Sequence, residues 1–195
     1  RGRNVLAAQP VLEVNGEAVR WGGFKVARRF DDFISMSGTG ACAGLEFRWN
    51  GELWFDGLWK LDFTMSPETE KQIASMRLSW KVPEESARYL MSRWKDGYVT
   101  VPWKDGRIES SLNIADASWL SGVETGCAWL PLSSANWGSG KDKALVMKRD
   151  GKDVDVTLNI IAKTSELTKP AKYSIAFMAT PSKRPPANFR TVNAG

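Results

Sequence analysis

Alternation of apolar and polar residues with a period of two is the feature that most constrains how this chain folds. Between Asp153 and Ile160 the apolar positions are Val154, Val156, Leu158 and Ile160, with polar residues between them. Successive side chains of a β-strand point to opposite faces of a sheet, so this spacing predicts a half-buried strand. Strands of this kind are typical of antiparallel sheets that have one wet face.

Further segments show the same alternation, and turn signals separate them. The alternating segments are Trp59–Met65, Met76–Val82 and Tyr173–Phe177. The turn signals are the Asn-Gly and Asp-Gly pairs at 15–16, 50–51, 56–57, 105–106 and 150–151. Asn50-Gly51 is the strongest hairpin signal, and it predicts a turn joining a strand at Ala43–Trp49 to another at Glu52–Phe55. Trp49 and Trp59 share the parity of the apolar positions, and we expect both to be buried.

Helical patterns are scarce. Ser66-Pro67-Glu68 is typical of a helix start, with Ser66 as N-cap and Pro67 at the first helical position. Glu84–Arg93, which follows Pro83, is the other candidate. We therefore predict an all-β fold: a large sandwich of two antiparallel sheets with at most one or two short helical turns.

Length and composition favour one domain followed by a linker. A sandwich of this size is ordinary for a chain of 195 residues. Low complexity is confined to the end, where Thr180–Pro186 combines proline with basic residues. We predict a β-sandwich domain at 1–181 and a Pro/basic linker at 182–195 that leads toward a downstream domain.

Composition also excludes several classes of function. The net charge of +5 comes from 27 basic and 22 acidic residues scattered along the chain, which indicates a solvated surface and no nucleic-acid partner. The absence of histidine excludes Ser-His-Asp and Cys-His catalysis and every His-ligated metal site. No apolar run approaches the roughly 20 residues of a membrane-spanning helix. No metal or cofactor is predicted. Cys42 and Cys127 form either one disulfide or two buried thiols, and the sequence leaves both open.

The segment Trp119–Trp137 holds the candidate binding residues. It places three tryptophans, two glycines and one acid in a turn-rich stretch. Flat indole faces suit the apolar C–H patches of sugars, and a carboxylate accepts hydrogen bonds from hydroxyls. Trp137, Trp129, Glu124 and Trp119 are therefore the candidate carbohydrate-binding residues. The alternative is that Glu124 caps a turn and that at least one of Trp119 and Trp129 belongs to the core.

A catalytic alternative pairs Asp56 with Glu124. The two carboxylates of a glycosidase lie about 5–10 Å apart, so two acids brought together in a cleft would suffice. Asp-Gly turns are also common for conformational reasons alone, because both residue types favour turn geometry.

Four segments in order resemble one family. The segments are 50–59 (NGELWFDGLW), 76–83, 119–137 and 179–183 (ATPSK). They are similar to the β-sandwich domain that precedes the catalytic barrel in bacterial proteins resembling glycoside hydrolase family 123. The chain departs from the pattern at Ser121, which is inserted before Gly122, and at Cys127, where leucine is usual.

The resemblance implies a non-catalytic accessory domain of a glycoside-hydrolase-like protein acting on aminosugar-containing glycans. It implies that the domain alone is not catalytic, that the catalytic residues of the parent protein lie on a downstream barrel, and that the protein is secreted or periplasmic. The implied partners are a glycan and that downstream domain. Two alternatives remain: a self-sufficient carbohydrate-binding module and a purely structural interdomain scaffold.

Overall fold

The chain forms two antiparallel β-sheets that pack face to face. The computed structural model describes residues 4–94, 97–102, 107–110, 117–138 and 144–180. The strands are β1 (Ala8–Val14), β2 (Glu17–Ala18), β3 (Arg20–Arg29), β4 (Phe33–Cys42), β5 (Leu45–Trp54), β6 (Leu58–Pro67), β7 (Lys71–Ile73), β8 (Met76–Val82), β9 (Tyr89–Trp94), β10 (Gly97–Pro102), β11 (Arg107–Ser110), β12 (Ser118–Ser121), β13 (Gly126–Pro131), β14 (Leu145–Asp150), β15 (Asp153–Ile161), β16 (Ser165–Leu167) and β17 (Ala171–Thr180).

One sheet is larger than the other. The small sheet has the order β11-β14-β15-β8-β1-β2, and the large sheet has the order β10-β9-β12-β13-β17-β6-β5-β4-β3. A two-stranded ribbon, β16-β7, completes the fold. The predicted all-β sandwich is thus confirmed. Because nine strands face six, part of the large sheet extends past the small one.

The alternating segments build the core. In β8 and β15 the inward positions predicted from the sequence, from Met76 to Val82 and from Val154 to Ile160, are all buried. They pack against Phe47, Met65 and Trp129 on the inner face of the large sheet, within one hydrophobic cluster. A side-chain period of two thus fixes which face of each strand is buried.

The predicted turn at Asn50-Gly51 is wrong. Strand β5 runs through both residues, and Gly51 pairs with Met36 on one side and Leu61 on the other. A methyl group built on Gly51 would lie 2.9 Å from Nε1 of Trp59, so this glycine makes room for a ring inside the sheet. The turn predicted at Asp56-Gly57 is confirmed: it joins β5 to β6, and Gly57 has a φ of 92°.

The turn between β4 and β5 falls on Ala43-Gly44, which carries no strong signal in the sequence. Ala43 has a φ of 50° and Gly44 a φ of 67°. The predicted turns at Asn15-Gly16 and Asp150-Gly151 are confirmed, with positive φ at both glycines. The predicted turn at 105–106 and the boundary at Pro181, with the linker beyond it, lie outside the described residues.

The helical predictions are partly corrected. Ser66-Pro67 does not start a helix, because β6 continues through Pro67 and pairs with Leu45. The second candidate, Glu84–Arg93, contributes one 3-10 turn at Glu84–Ser86 before β9 begins at Tyr89. Within the described part of the chain, no helix is long and apolar enough to cross a membrane.

Candidate functional site

Trp129 is a core residue and cannot form a sugar platform. Its side chain is 1% exposed, and its ring meets Trp80 of the small sheet edge-to-face at a centroid distance of 5.1 Å. Trp129 lies on the inner face of β13, where the small sheet covers it. This corrects the sequence-based expectation, because a buried ring has no face to offer a ligand.

Trp119 lies on the opposite face of the same sheet. It pairs with Ala128, one residue out of phase with Trp129, so the two rings point to different sides. The ring is half-buried against Gly126, where an added methyl group would lie 2.5 Å from Nε1 of Trp119. Trp119 and Trp129 therefore cannot share one binding surface.

Glu124 and Trp137 lie at opposite ends of β13. Glu124 is exposed in the turn before Gly126, whereas Trp137 follows Pro131 and packs partly buried against the core. The strand between them spans five residue steps, or roughly 17 Å. The structure therefore does not bring the four candidate residues together.

The alternative carboxylate pair, Asp56 and Glu124, also lies far apart. Both residues are in turns at the same end of the large sheet, but β17 separates their hairpins. The centres of the two hairpins are about three strand spacings, roughly 14 Å, from each other. Asp56 instead stabilises the turn, since its Oδ1 accepts a hydrogen bond from the backbone N–H of Leu58 at 3.0 Å.

A groove opens where the large sheet extends past the small one. We call it the aromatic groove; it has a volume of about 460 Å³. Its floor is the inner face of β3 to β6 with one residue of β17, and its rim is β1 with one residue of β8. The lining residues are Gln9, Pro10, Leu12, Trp21, Gly22, Phe24, Met36, Trp49, Trp59, Leu61, Leu78 and Phe177.

Glycines in β4 let two tryptophans lie close to the floor of this groove. A methyl group on Gly38 would lie 2.6 Å from Nε1 of Trp49, and one on Gly40 would lie 2.6 Å from Cε3 of Trp21. Such approaches are closer than a Cβ tolerates, so the rings occupy space that only glycine leaves free. Gly51, in β5, leaves space in the same way for the ring of Trp59 in the neighbouring strand β6.

Aromatic rings run without a break from the core into the groove. Trp129 contacts Trp80, and Trp80 meets Phe177 edge-to-face at 5.4 Å. Phe177 in turn lies 5.9 Å from Trp59, which lines the groove. At the outer end Trp21 and Phe24 are 42% and 63% exposed. The groove is therefore an open continuation of a rigid core, which holds its rings in place.

The lining favours an uncharged ligand that has apolar faces. Among the described residues around the groove, Gln9 carries the one polar side chain apart from the indole N–H groups, and none carries a charge. Binding pockets are commonly apolar with a few polar groups that fix orientation. Indole faces with one amide at the rim suit the C–H face and hydroxyl edge of a pyranose.

Two other hollows differ in chemistry. The acid–aromatic pocket, of about 450 Å³, is formed by residues 30–34, residues 53–57 and Ala179, and it contains three aspartates. The polar cleft, of about 440 Å³, lies on the outer face of the large sheet. There Asp62 contacts the hydroxyl of Ser174 and lies 3.5 Å from Nζ of Lys60.

Both thiols are buried, and no metal cluster is present in the described part of the chain. Cys42 and Cys127 are both buried and free. Burial raises the pKa of Cys127 to about 12, and burial with the nearby Glu17 raises the pKa of Cys42. Thiols with a raised pKa are poor nucleophiles at neutral pH. The described residues contain no group of three or more acidic or cysteine side chains able to hold a metal ion.

Sequence reasoning missed Trp21 and Phe24 as site residues and placed Trp49 and Trp59 in the core. Both of the latter line the groove and are half-buried. The alternation of Trp21 and Phe24 is broken by Gly22-Gly23, where the pairing of β3 with β4 shifts register. The signal that points to this site is the pair Gly38 and Gly40, because alternate glycines in a strand indicate close approach of another group.

Comparisons with solved structures define the class of fold. No model of a known protein family and no curated protein matches the chain. A galactose mutarotase-related enzyme from Lactobacillus acidophilus is similar in structure, with 9% identity, a TM-score of 0.51 and coverage of 83% of this chain and 72% of that one. A candidate mutarotase from Salmonella typhimurium has 7% identity, a TM-score of 0.50 and coverage of 87% of this chain.

The chain spans 66% of the length of the Salmonella protein. At these identities the likeness shows a shared fold and says nothing about activity. The class that the fold defines is an all-β sandwich of antiparallel sheets.

Proposed function

We propose that this chain is a non-catalytic domain that binds a neutral glycan in the aromatic groove. The observation that carries the proposal is the set of three tryptophans seated against three glycines on an uncovered part of the inner face. Exposed aromatic surface of this kind is costly in water unless a ligand or a partner uses it. The sugar-related names of the two solved structures are consistent with a saccharide ligand.

The non-catalytic part of the proposal rests on the same lining. Acid–base catalysis on a sugar needs titratable groups within hydrogen-bond reach of the reacting oxygens. None of the described residues around the groove is titratable. We therefore expect that the isolated chain neither hydrolyses aminosugar glycosides nor accelerates the mutarotation of galactose, as measured by polarimetry.

The wider setting follows from the resemblance in the four sequence segments. On that basis we propose an accessory domain of a secreted or periplasmic glycoside-hydrolase-like protein that acts on aminosugar-containing glycans. Its groove would hold part of the glycan while a neighbouring catalytic domain carries out the chemistry.

Isothermal calorimetry with neutral oligosaccharides tests the proposal. The probes are the β-1,4-linked hexamers of N-acetylglucosamine and of glucose, with galactose as a monosaccharide. We expect micromolar binding of at least one hexamer, lost on Trp21→Ala and retained on the matched Trp119→Ala change on the outer face. Because the lining is uncharged, the affinity should not change with salt concentration.

Two outcomes contradict the proposal. Loss of binding on Trp119→Ala with no effect of Trp21→Ala would place the glycan on the other face of the sheet. No heat with any probe from a folded sample would favour the purely structural alternative, in which another domain covers the groove.

A further inference from the structure

Strand β3 lies at one edge of the large sheet, and its whole length is open to solvent. All ten residues of Arg20–Arg29 are exposed. Strand β4 pairs with one side of β3, and within the described part of the chain no strand pairs with the other side. At a rise of about 3.4 Å per residue, this edge presents backbone N–H and C=O groups over roughly 30 Å. Such an edge can accept an extended segment as a further strand.

One edge of the small sheet is built differently. Its last strand, β2, has two residues, Glu17–Ala18. A short edge strand offers few backbone groups, which is a common way to prevent unwanted pairing. The short β2 therefore limits pairing by its length, whereas the long β3 can select a partner through its side chains.

The two faces of β3 differ in chemistry. Residues that pair across a sheet share one face, so the pairing with β4 assigns each side chain to a face. On the inner face, opposite even-numbered positions of β4, lie Trp21, Phe24 and Val26. On the outer face, opposite odd-numbered positions, lie Arg20, Lys25 and Arg28. A matching strand therefore has apolar side chains on one face and acidic side chains on the other.

The charge on this edge has a single sign. Residues 18–30 contain four basic residues and no acidic residue. Arg20 lies 3.8 Å from Glu17 in an exposed pair, and within the described part of the chain Lys25, Arg28 and Arg29 form no ion pair. Like charges opposite one another in a sheet are destabilising, so pairing with a second copy of β3 is disfavoured. An acidic strand has the complementary charge.

Two irregularities in β3 restrict the choice of partner further. The register with β4 shifts between Trp21 and Phe24 and again between Val26 and Arg28. Bulges of this kind twist an edge and hinder pairing with strands that lack a matching shape. Nothing in the described part of the chain lies within 4 Å of a methyl group built on Gly23. Glycine inside a strand often marks the close approach of another backbone, and the space beside Gly23 is open to one.

We infer that β3 binds an acidic, extended segment of a partner protein, which joins the large sheet beside β3. Main-chain hydrogen bonds hold the segment along the edge, and its carboxylates pair with Arg20, Lys25 and Arg28. A peptide is favoured over another polyanion because it carries N–H and C=O groups at the spacing of a strand. The inference goes beyond the glycan proposal, since none of these three basic residues lines the aromatic groove.

Fluorescence anisotropy with a labelled peptide tests the binding. The probe is a ten-residue peptide in which glutamate alternates with valine or threonine. The reference peptide has the same composition, but its glutamates are contiguous. We expect the alternating peptide to bind at least about tenfold more tightly than the reference and more weakly as the salt concentration rises. Equal binding of the two peptides would contradict strand addition, because charge alone would then explain it.

Charge reversal on the outer face locates the site. Lys25→Glu/Arg28→Glu should weaken binding of the alternating peptide at least about tenfold. The matched control, Lys163→Glu/Lys169→Glu, changes the net charge equally at exposed sites outside β3 and should leave the affinity unchanged. Equal weakening in both variants would overturn the inference.

Hydrogen exchange of the unchanged chain, followed by NMR, gives a readout that needs no variant. With the alternating peptide bound, alternate amides of β3 should exchange at least about threefold more slowly, because the peptide backbone accepts their hydrogen bonds. Binding without this protection would overturn the inference, and tighter binding of a short DNA duplex would then assign the basic strip to nucleic acid. A dimer of the chain that the peptide does not dissociate would instead assign the edge to a second copy.

Discussion

Trp129 and Trp21 are both inward-facing tryptophans of the same nine-stranded sheet, yet one is 1% exposed and the other 42%. Both pack against other aromatic rings. Trp129 lies beneath the small sheet and contacts Trp80, whereas Trp21 lies beyond the edge of that sheet and contacts Phe47. This difference shows that the position of a residue along a strand decides which face of the sheet its side chain lies on. Whether that side chain then belongs to the core or to an open surface depends on how far the other sheet covers it.

The largest effect on stability is expected at Trp129, the tryptophan that the small sheet covers. Trp129→Ala should lower the free energy of unfolding by about 3–5 kcal/mol, because the cavity it leaves cannot be filled by solvent or neighbours. Urea denaturation monitored by circular dichroism measures the change. A loss below about 1 kcal/mol would show that the packing around Trp129 and Trp80 is not the centre of the core.

The next largest effect on stability is expected at the glycines beneath the groove. Gly38→Ala places a methyl group 2.6 Å from Nε1 of Trp49, so the indole must move, at a cost of about 1–3 kcal/mol. Gly23→Ala is the matched control, since nothing lies within 4 Å of its added methyl group. We expect Gly38→Ala to weaken glycan binding as well as stability, and Gly23→Ala to change neither. Equal behaviour of the two variants would mean that the seating of the rings is unimportant.

Alkaline pH should lower the stability of the folded chain through buried groups of the core. Burial raises the pKa of Tyr173 to about 12 from an ordinary value of 10.0. The folded state therefore holds this proton more tightly than the unfolded state, and stability present below pH 10 is lost as pH rises toward 12. Cys127 acts in the same direction from pH 9 upward.

Tyr173→Phe keeps the ring that stacks on Phe63 at 5.1 Å but removes the titrating hydroxyl. Between pH 7 and 10.5 this variant should lose about 1 kcal/mol less stability than the unchanged chain. Denaturant midpoints at the two pH values provide the comparison. Parallel losses in both proteins would mean that the Tyr173 proton is not coupled to folding.

The smallest effect on stability is expected at the open end of the groove. Trp21→Ala should cost about 1 kcal/mol, since the ring is already partly in water and loses only part of its packing, against Phe47 and Gly40. Thermal unfolding measures the change. A cost as large as that of Trp129→Ala would show that Trp21 is a core residue and that the groove is closed in solution.

The sequence predicted the strands and the class of fold because side-chain period and burial are local properties. All four inward positions of β8 and of the segment 153–160 were identified from alternation alone. Turns were less predictable where glycine has two possible roles. Asn50-Gly51 has the composition of a turn, but Gly51 gives space to Trp59, and this role depends on a residue eight positions away.

The candidate site could not be predicted from the sequence, for a related reason. Trp119, Trp129 and Trp137 are close in sequence, but β13 and its pairing send Trp119 and Trp129 to opposite faces and carry Trp137 past the far end of the strand. Trp21 and Trp49 are far apart in sequence, yet both line the groove because β3 and β5 pair with opposite edges of β4. Proximity along a β-strand says little about proximity in a sheet.

The most direct test of the account is a titration of the indole N–H signals by two-dimensional NMR with the hexamer of N-acetylglucosamine or of glucose. Among the tryptophans that the structure describes, Trp80 and Trp129 report on the core, Trp21, Trp49 and Trp59 on the groove, and Trp119 on the outer face. The account predicts shifts confined to the signals of Trp21, Trp49 and Trp59, with those of Trp80 and Trp129 unchanged. Shifts of Trp119 or Trp137 with the groove signals unmoved would contradict it.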